Sequence, residues 1–409
     1  MSDLIFDWNE RRLVSMLGKN PITVVDETLR DGVQSPTVND PELDQKMELV
    51  RMMDRMGIGV VDVGLPGAGA RAKEHVLELV KLIRDEKLSI IPYCAARTLE
   101  ADIAPVADVQ HETGHPLEVY AFIGSSPVRQ YTENWTVQTI ADISRKAIEF
   151  GVRQGLTVAY VTEDTTRSRP DQLRVMFDTA IEAGAARLVL CDTCGHSTHH
   201  GVRQLMQFAV DFVDSSDADV GLDWHGHNDR GLALTNTLMA AECGAQRIHG
   251  TALGVGERVG NTSIDQILVN LKLLGLWPHD LSCLGDFVRL AAKACRVPLP
   301  YNYPVFGEDA FRTATGVHAA AIIKALDRGD SELADLVYSG VPAGQFGIDQ
   351  VIEIGPMSGM SNVRYWMKVR GIEADEDKEQ ALFAAAKLSD RILTDTELMA
   401  VLDRGDAHV

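Results

Sequence analysis

Residues 22–34 read Ile22-Thr-Val-Val-Asp-Glu-Thr-Leu-Arg-Asp-Gly-Val-Gln34. The β-branched start predicts a short strand, Ile22–Asp26. The residues after that strand decide between two arrangements of parallel strands. A doubly wound open sheet typically carries G-x-G-x-x-G after its first strand. Here Val25-Asp-Glu-Thr-Leu-Arg30 stands in that place. Working outward, similar runs recur at Ile58–Val63, Leu88–Tyr93, Leu117–Ile123, Gly155–Val161, Ala186–Cys191, Val220–Trp224 and Gln246–Thr251. Amphipathic stretches lie between them, among them Asp44–Met56, Ala72–Lys87, Thr136–Phe150, Pro170–Ala183, Val202–Val213 and Leu232–Cys243. Each strand-plus-helix unit is too long for a hairpin and suits a βαβ crossover. Eight units in about 250 residues predict an α/β fold, a (β/α)8 TIM barrel. The doubly wound sheet is the alternative. In a barrel, chemistry sits at the C-terminal ends of the strands.

The pattern changes after Leu276. We expect the barrel, with a short N-terminal extension, over residues 1–275 and a linker over 276–300, where Pro278 falls. Beyond it we expect a smaller, mainly helical region over 301–409, contributing to the active site. Its expected helices are Phe311–Asp327, Asp375–Asp390 and Thr394–Asp403, after a helix at Asp286–Arg296. Gly405–Val409 is expected to fray.

The chain has 409 residues, 39 Lys plus Arg and 59 Asp plus Glu, for a net charge of −20. That balance argues against sequence-independent nucleic-acid binding, which needs a basic footprint, and against anionic membranes. An anionic substrate must be captured by local Arg or Lys. Met1–Glu10 lacks the basic and apolar regions of a signal peptide, and no apolar run reaches about 18 residues. Six Cys are too sparse for a disulfide scaffold and read as reduced thiols in a cytoplasmic protein.

The strand ends carry the chemistry. Arg30 and Asp31 come just after strand 1, and strand 7 ends in Trp224-His-Gly-His-Asn-Asp229. Residues i and i+2 of a strand point the same way, so His225 and His227 can bind one ion from one face. An H-x-H alone is more often structural. A carboxylate from Asp31 and an oxygen from Asn261, on neighbouring strands, favour a divalent metal with open positions. Asn261 ends the loop Gly254-Val-Gly-Glu-Arg-Val-Gly-Asn261. Arg30, Arg97, Arg129, Arg167 and Arg258 fall just past strands 1, 3, 4, 5 and 8 and suggest an anion-binding mouth. Thr193 can bind a carboxylate through its hydroxyl and amide. Cys191 and Cys194 form a C-x-x-C without a second pair, and read as packing thiols.

Three motifs in order, D-x-T-L-R-D-G-x-Q (Asp26–Gln34), H-x-H-N-D-x-G (His225–Gly231) and G-x-G-E-R-x-G-N (Gly254–Asn261), resemble the metal-dependent acyltransferases and lyases of the 2-isopropylmalate, homocitrate and citramalate synthase group. The resemblance covers about residues 20–365. It implies one divalent metal ion (Mg2+, Mn2+ or Zn2+) on Asp31, His225 and His227, with Asn261 at or near it. It implies acetyl-CoA and a 2-oxo acid as substrates. Arg30 stands beside the reacting carbonyl, Thr193 at the oxo acid's carboxylate and Glu163 near the acetyl group. Gln34, Arg97, Arg129 and Arg167 are candidates for substrate binding. Phe311-Arg-Thr-Ala-Thr-Gly-Val-His318 resembles a motif whose histidine acts in the partner subunit of a homodimer, and Tyr338 resembles a tyrosine of the same arm. The lyase branch lacks support, because its cysteine-bearing loop is not evident at Gly254–Asn261. No long regulatory domain of the leucine-inhibited kind is expected. Where isopropylmalate and citramalate synthases would carry histidine, this chain has Arg129, as homocitrate synthases do. A guanidinium pairs bidentately with a second anionic group, whereas an aliphatic tail would leave it unpaired. A dianionic oxo acid is therefore favoured over an aliphatic one. The proton-abstracting base is Glu163 or His318.

Overall fold

A computed structural model describes the backbone of residues 21–406 and the side chains up to Asp403. The readings of Met1–Glu10 and of fraying after Gly405 fall on residues outside those whose side chains are described.

Eight parallel strands close into a barrel in chain order: β1 (Thr23–Asp26), β2 (Val60–Gly64), β3 (Ile91–Arg97), β4 (Glu118–Gly124), β5 (Thr157–Glu163), β6 (Arg187–Asp192), β7 (Gly221–Gly226) and β8 (Arg247–Gly250). Closure is explicit in the register, Val25 opposite His249 and Asp26 opposite Gly250. It removes the open sheet from consideration. Strands β2 and β7 are buried at every position, as parallel strands covered on both faces must be. The third strand starts later than Leu88, because Asp54 Oδ1 accepts the amide N–H groups of Ser89 and Ile90 and pins them as a loop. It then runs on through the small residues Cys94, Ala95 and Ala96. Inside the barrel, Val25, Val60, Tyr93, Tyr120, Ala159, Val189 and Cys191 pack together. Cys191 is thus a packing thiol. Cys194 is half-exposed, with Arg167 Nη2 3.3 Å from its sulfur.

Helices between the strands are α1 (Leu43–Arg55), α2 (Ala70–Asp85), α3 (Glu100–Thr113), α4 (Pro127–Glu133), α5 (Val137–Arg153), α6 (Pro170–Glu182), α7 (His199–Ser215) and α8 (Ala233–Glu242). Helix α9 (Ile264–Leu273) comes after β8. No helix among the described residues is long and apolar enough to cross a membrane.

The described residues divide into two compact units between Pro298 and Leu299. The stretch expected as a linker holds α10 (Leu284–Cys295), which packs on α1 and on the turn Ala252–Gly254 and buries Leu284, Phe287, Val288 and Ala291. An apolar face at that spacing needs a partner, so the barrel unit extends through it. In the second unit, β9 (Arg312–Thr313) pairs with β10 (Val351–Ile352) in parallel. The helix expected from Phe311 therefore begins only at Gly316, as α11 (Gly316–Asp327). After it come α12 (Ser331–Leu336), α13 (Met360–Val369), α14 (Glu376–Leu388) and α15 (Asp395–Asp406). Ile354, Val363, Trp366, Leu382 and Leu398 anchor one apolar cluster there, and Ala319, Ile322 and Ile352 anchor another.

Candidate active site

Strand period places Asp223, His225 and His227 of the β7 segment on one side, at successive depths toward the C-terminal mouth. The turn after β1 brings up Asp31: Gly32 donates its amide N–H to the Glu27 carbonyl at 3.0 Å. One ligand atom each from Asp31, His225 and His227 lies within 4.8 Å of the other two. The loop after β8 lies back across the end of β7, where Asn261 bridges to His227. Its glycines are required by contact. A Cβ on Gly260 would collide with the Gly254 carbonyl oxygen. Asn261 Nδ2 donates to Asp31 Oδ2 at 2.6 Å.

These residues suit a divalent cation. His227 Nδ1 and Asn261 Oδ1 are buried without a hydrogen-bond partner. Burial and the neighbouring His225 push His227 down to about 4, so its ring is neutral and its lone pair free at physiological pH. Burial raises the Asp31 carboxyl, but Arg30 together with the neighbouring His225 and His227 outweighs it and holds the group below the usual range. A carboxylate, two imidazoles and an amide oxygen make an N/O donor set of the kind that takes zinc, manganese or magnesium.

Around this group lies a cavity of about 230 Å³, lined by Arg30, Gln34, Glu163, Thr193 and Glu257 on its polar side and by Ala95, Phe122, Val161 and Val189 on its apolar side. Arg30 is held by Asp31 (Nη1–Oδ1 2.6 Å) and by buried Asp62 (Nε–Oδ2 2.7 Å). Burial pushes the Glu163 carboxyl above its usual range against the pull of Arg129 and Arg30. Thr193 is fixed because its hydroxyl accepts the Asp164 amide N–H at 2.8 Å and its carbonyl accepts from Arg258 at 2.6 Å.

The expected ring of arginines proves to be a ring of ion pairs. Arg97 forks onto Asp102 with its side chain 63% exposed, and Arg167 forks onto Asp164. Neither is among the residues that line the cavity. Arg258 binds Asp229. Local carboxylates in an acidic chain reach these cations first. Arg129, which is likewise not among the residues that line the cavity, lies across Gly124, its Nη2 3.3 Å from Glu133 and its Nε buried without a partner. His318 and Tyr338 belong to the second unit, where their rings stack with centroids 4.1 Å apart.

Reading the sequence missed Glu27 and His249. Glu27 Oε2 lies 2.6 Å from His225 Nδ1, and Glu27 Oε1 lies 3.0 Å from His249 Nδ1. The available signal was period two on β8, which turns His249 inward beside β1.

Fold and site define a (β/α)8-barrel enzyme whose polar groups converge at the C-terminal mouth of the barrel. The chain belongs to the HMGL-like family, whose model matches residues 21–291. Among curated relatives, "Homocitrate synthase AksA" of Methanopyrus kandleri is 30% identical over 401 residues, covering 94% of each chain. A protein of the same organism named "Probable 2-isopropylmalate synthase" is 30% identical over 360 residues, covering 87% of this chain and 67% of its own. "(R)-citramalate synthase CimA" of Methanocaldococcus jannaschii is 27% identical over 389 residues, covering 93% and 74%. All are named synthases, consistent with an acyltransferase. Of solved structures, the HMG-CoA lyase of Bacillus subtilis superimposes with a TM-score of 0.57 at 18% identity, covering 69% of this chain and 96% of that one. That likeness is one of fold.

Proposed function

We propose that this chain is an acyltransferase that condenses acetyl-CoA, or a related acyl-CoA, with a 2-oxo acid and releases CoA. The observation that carries this reading is the meeting of Asp31, His225 and His227 with Arg30, Glu163 and Thr193 around one cavity. A divalent ion held by Asp31, His225, His227 and the Asn261 oxygen would act as a Lewis acid toward the oxo acid's carbonyl. Thr193 orients the carboxylate of the oxo acid. Glu163, whose raised pKa suits a general base, takes a proton from the acyl methyl group; His318 is the other candidate. The carbanion carbon forms the new C–C bond, and Arg30 stabilises the oxygen that gains negative charge. Water then cleaves the thioester, giving the acid and free CoA thiol.

The finer reading is a dianionic oxo acid, 2-oxoglutarate first, then oxaloacetate or a phosphono analogue. The unpartnered Nε of Arg129, whose charge acts on Glu163, supports it. A second reading, an isopropylmalate or citramalate synthase, draws on the apolar wall of Phe122, Val161 and Val189. Cleavage of the lyase kind is disfavoured, since the relatives near 30% identity are synthases. We infer also a homodimer in which His318, with Tyr338, serves the partner's site.

A thiol reagent decides the reaction class. The purified chain with acetyl-CoA, Mg2+, Mn2+ or Zn2+ and a panel of 2-oxo acids should release thiol only when both substrates are present. No oxo-acid-dependent thiol from any pairing would overturn the assignment.

A further inference from the structure

Glu27 is 3% exposed and sits below the proposed metal ligands. It accepts from the Tyr93 hydroxyl at 2.9 Å, faces His225 Nδ1 at 2.6 Å and His249 Nδ1 at 3.0 Å, and lies 3.8 Å from Arg30 Nη2. Its two oxygens are therefore spent on groups inside the barrel. An ionised carboxylate only accepts, so each imidazole must present Nδ1 as N–H. His225 then has one nitrogen left, Nε2, to turn toward a metal. A ligand histidine held this way has its tautomer and ring orientation set before the metal arrives.

His249 extends the arrangement downward. Its Nε2 lies 3.4 Å from Asp223 Oδ2. Asp223 in turn accepts from the Tyr120 hydroxyl at 2.9 Å and from Arg187 Nε at 2.6 Å. Flanked by a carboxylate on each nitrogen, His249 donates to both and supplies a positive charge next to Glu27. Strands β3, β4, β6, β7 and β8, with the residue that follows β1, contribute to these contacts, so the barrel itself holds them in place.

We propose that Glu27, backed by His249, is the positioning residue that fixes His225 with Nδ1–H inward and Nε2 outward as a metal ligand. The inference rests on reading Asp31, His225 and His227 as the metal group, but not on which oxo acid is used. In the metal-free protein with 15N-labelled histidine, His225 should carry its proton on Nδ1; a proton on Nε2 alone would overturn the proposal. Chelator competition with Zn2+ or Mn2+ should show Glu27→Gln binding about 10- to 100-fold more weakly, with excess metal restoring most of the lost thiol release. A folded variant that keeps its affinity within about twofold overturns the proposal. If Glu27→Gln does not fold, the spectrum of the unmutated chain still decides. Absence of thiol release from every substrate pair would defeat the proposed reaction while leaving the affinity and tautomer readouts intact.

Discussion

Arg129 and Asp26 show how one atom without a partner shapes behaviour. The Nε of Arg129 is buried without a partner, and the charge of this guanidinium acts on Glu163. Arg129→His should cut thiol release with 2-oxoglutarate or oxaloacetate by at least about tenfold, the size of one lost charge-assisted pair, and spare pyruvate and 2-oxoisovalerate. Equal losses across the panel would remove the case for a distal anion. Asp26 is fully buried. Its Oδ1 accepts the Thr28 amide N–H, while its Oδ2 has no partner. Burial pushes its carboxyl up to about 7 from 3.8. A raised acid favours the folded state below its unfolded value and loses that advantage as pH climbs through its folded one. The loss runs from about pH 4 to 7 and is of order 4 kcal/mol at most. Asp26→Asn keeps the Thr28 bond and cannot ionise. Its melting temperature should change less over that range and exceed the parent's at about pH 8. A parallel pH profile in the two proteins would refute this.

Loops set the site's geometry as much as strands do. The segment Gly254–Asn261 folds on itself so tightly that Gly260 has φ +96° and no room for a Cβ. Gly260→Ala should cost about 1–3 kcal/mol of stability. It should also weaken metal binding by chelator competition, because Asn261 is the next residue. Unchanged metal affinity would separate that loop from the site. The loop's motif was legible in the sequence, as were the H-x-H of β7 and the Arg-Asp pair after β1. The late start of β3 was not. It depends on Asp54, 35 residues away, capping Ser89.

The whole molecule carries a charge of −20, so anionic substrates are drawn in by local cations rather than by its overall field. The proposed homodimer gives a test of its own. His225→Ala and His318→Ala chains should each be inactive alone. Unfolded and refolded together in equal amounts, they should recover about a quarter of the parent's thiol release if His318 acts across subunits, since half the dimers are mixed and each has one intact site. No recovery from verified mixed dimers would place His318 in its own chain's site.

Periodicity alone specified eight strand–helix units, because parallel strands buried on both faces leave an apolar run that recurs at crossover length. Local spacing likewise put Asp31, His225, His227 and Asn261 at strand ends. Folding in three dimensions was needed for the rest. Glu27 and His225 stand 198 positions apart, and only closure of β1 against β8, which pairs in turn with β7, makes them neighbours. The pairing of Arg30 with Asp62 and of Arg258 with Asp229, and the docking of α10 on α1, have the same origin. Charge pairing and packing depend on register and direction in space, which a linear order of residues does not contain.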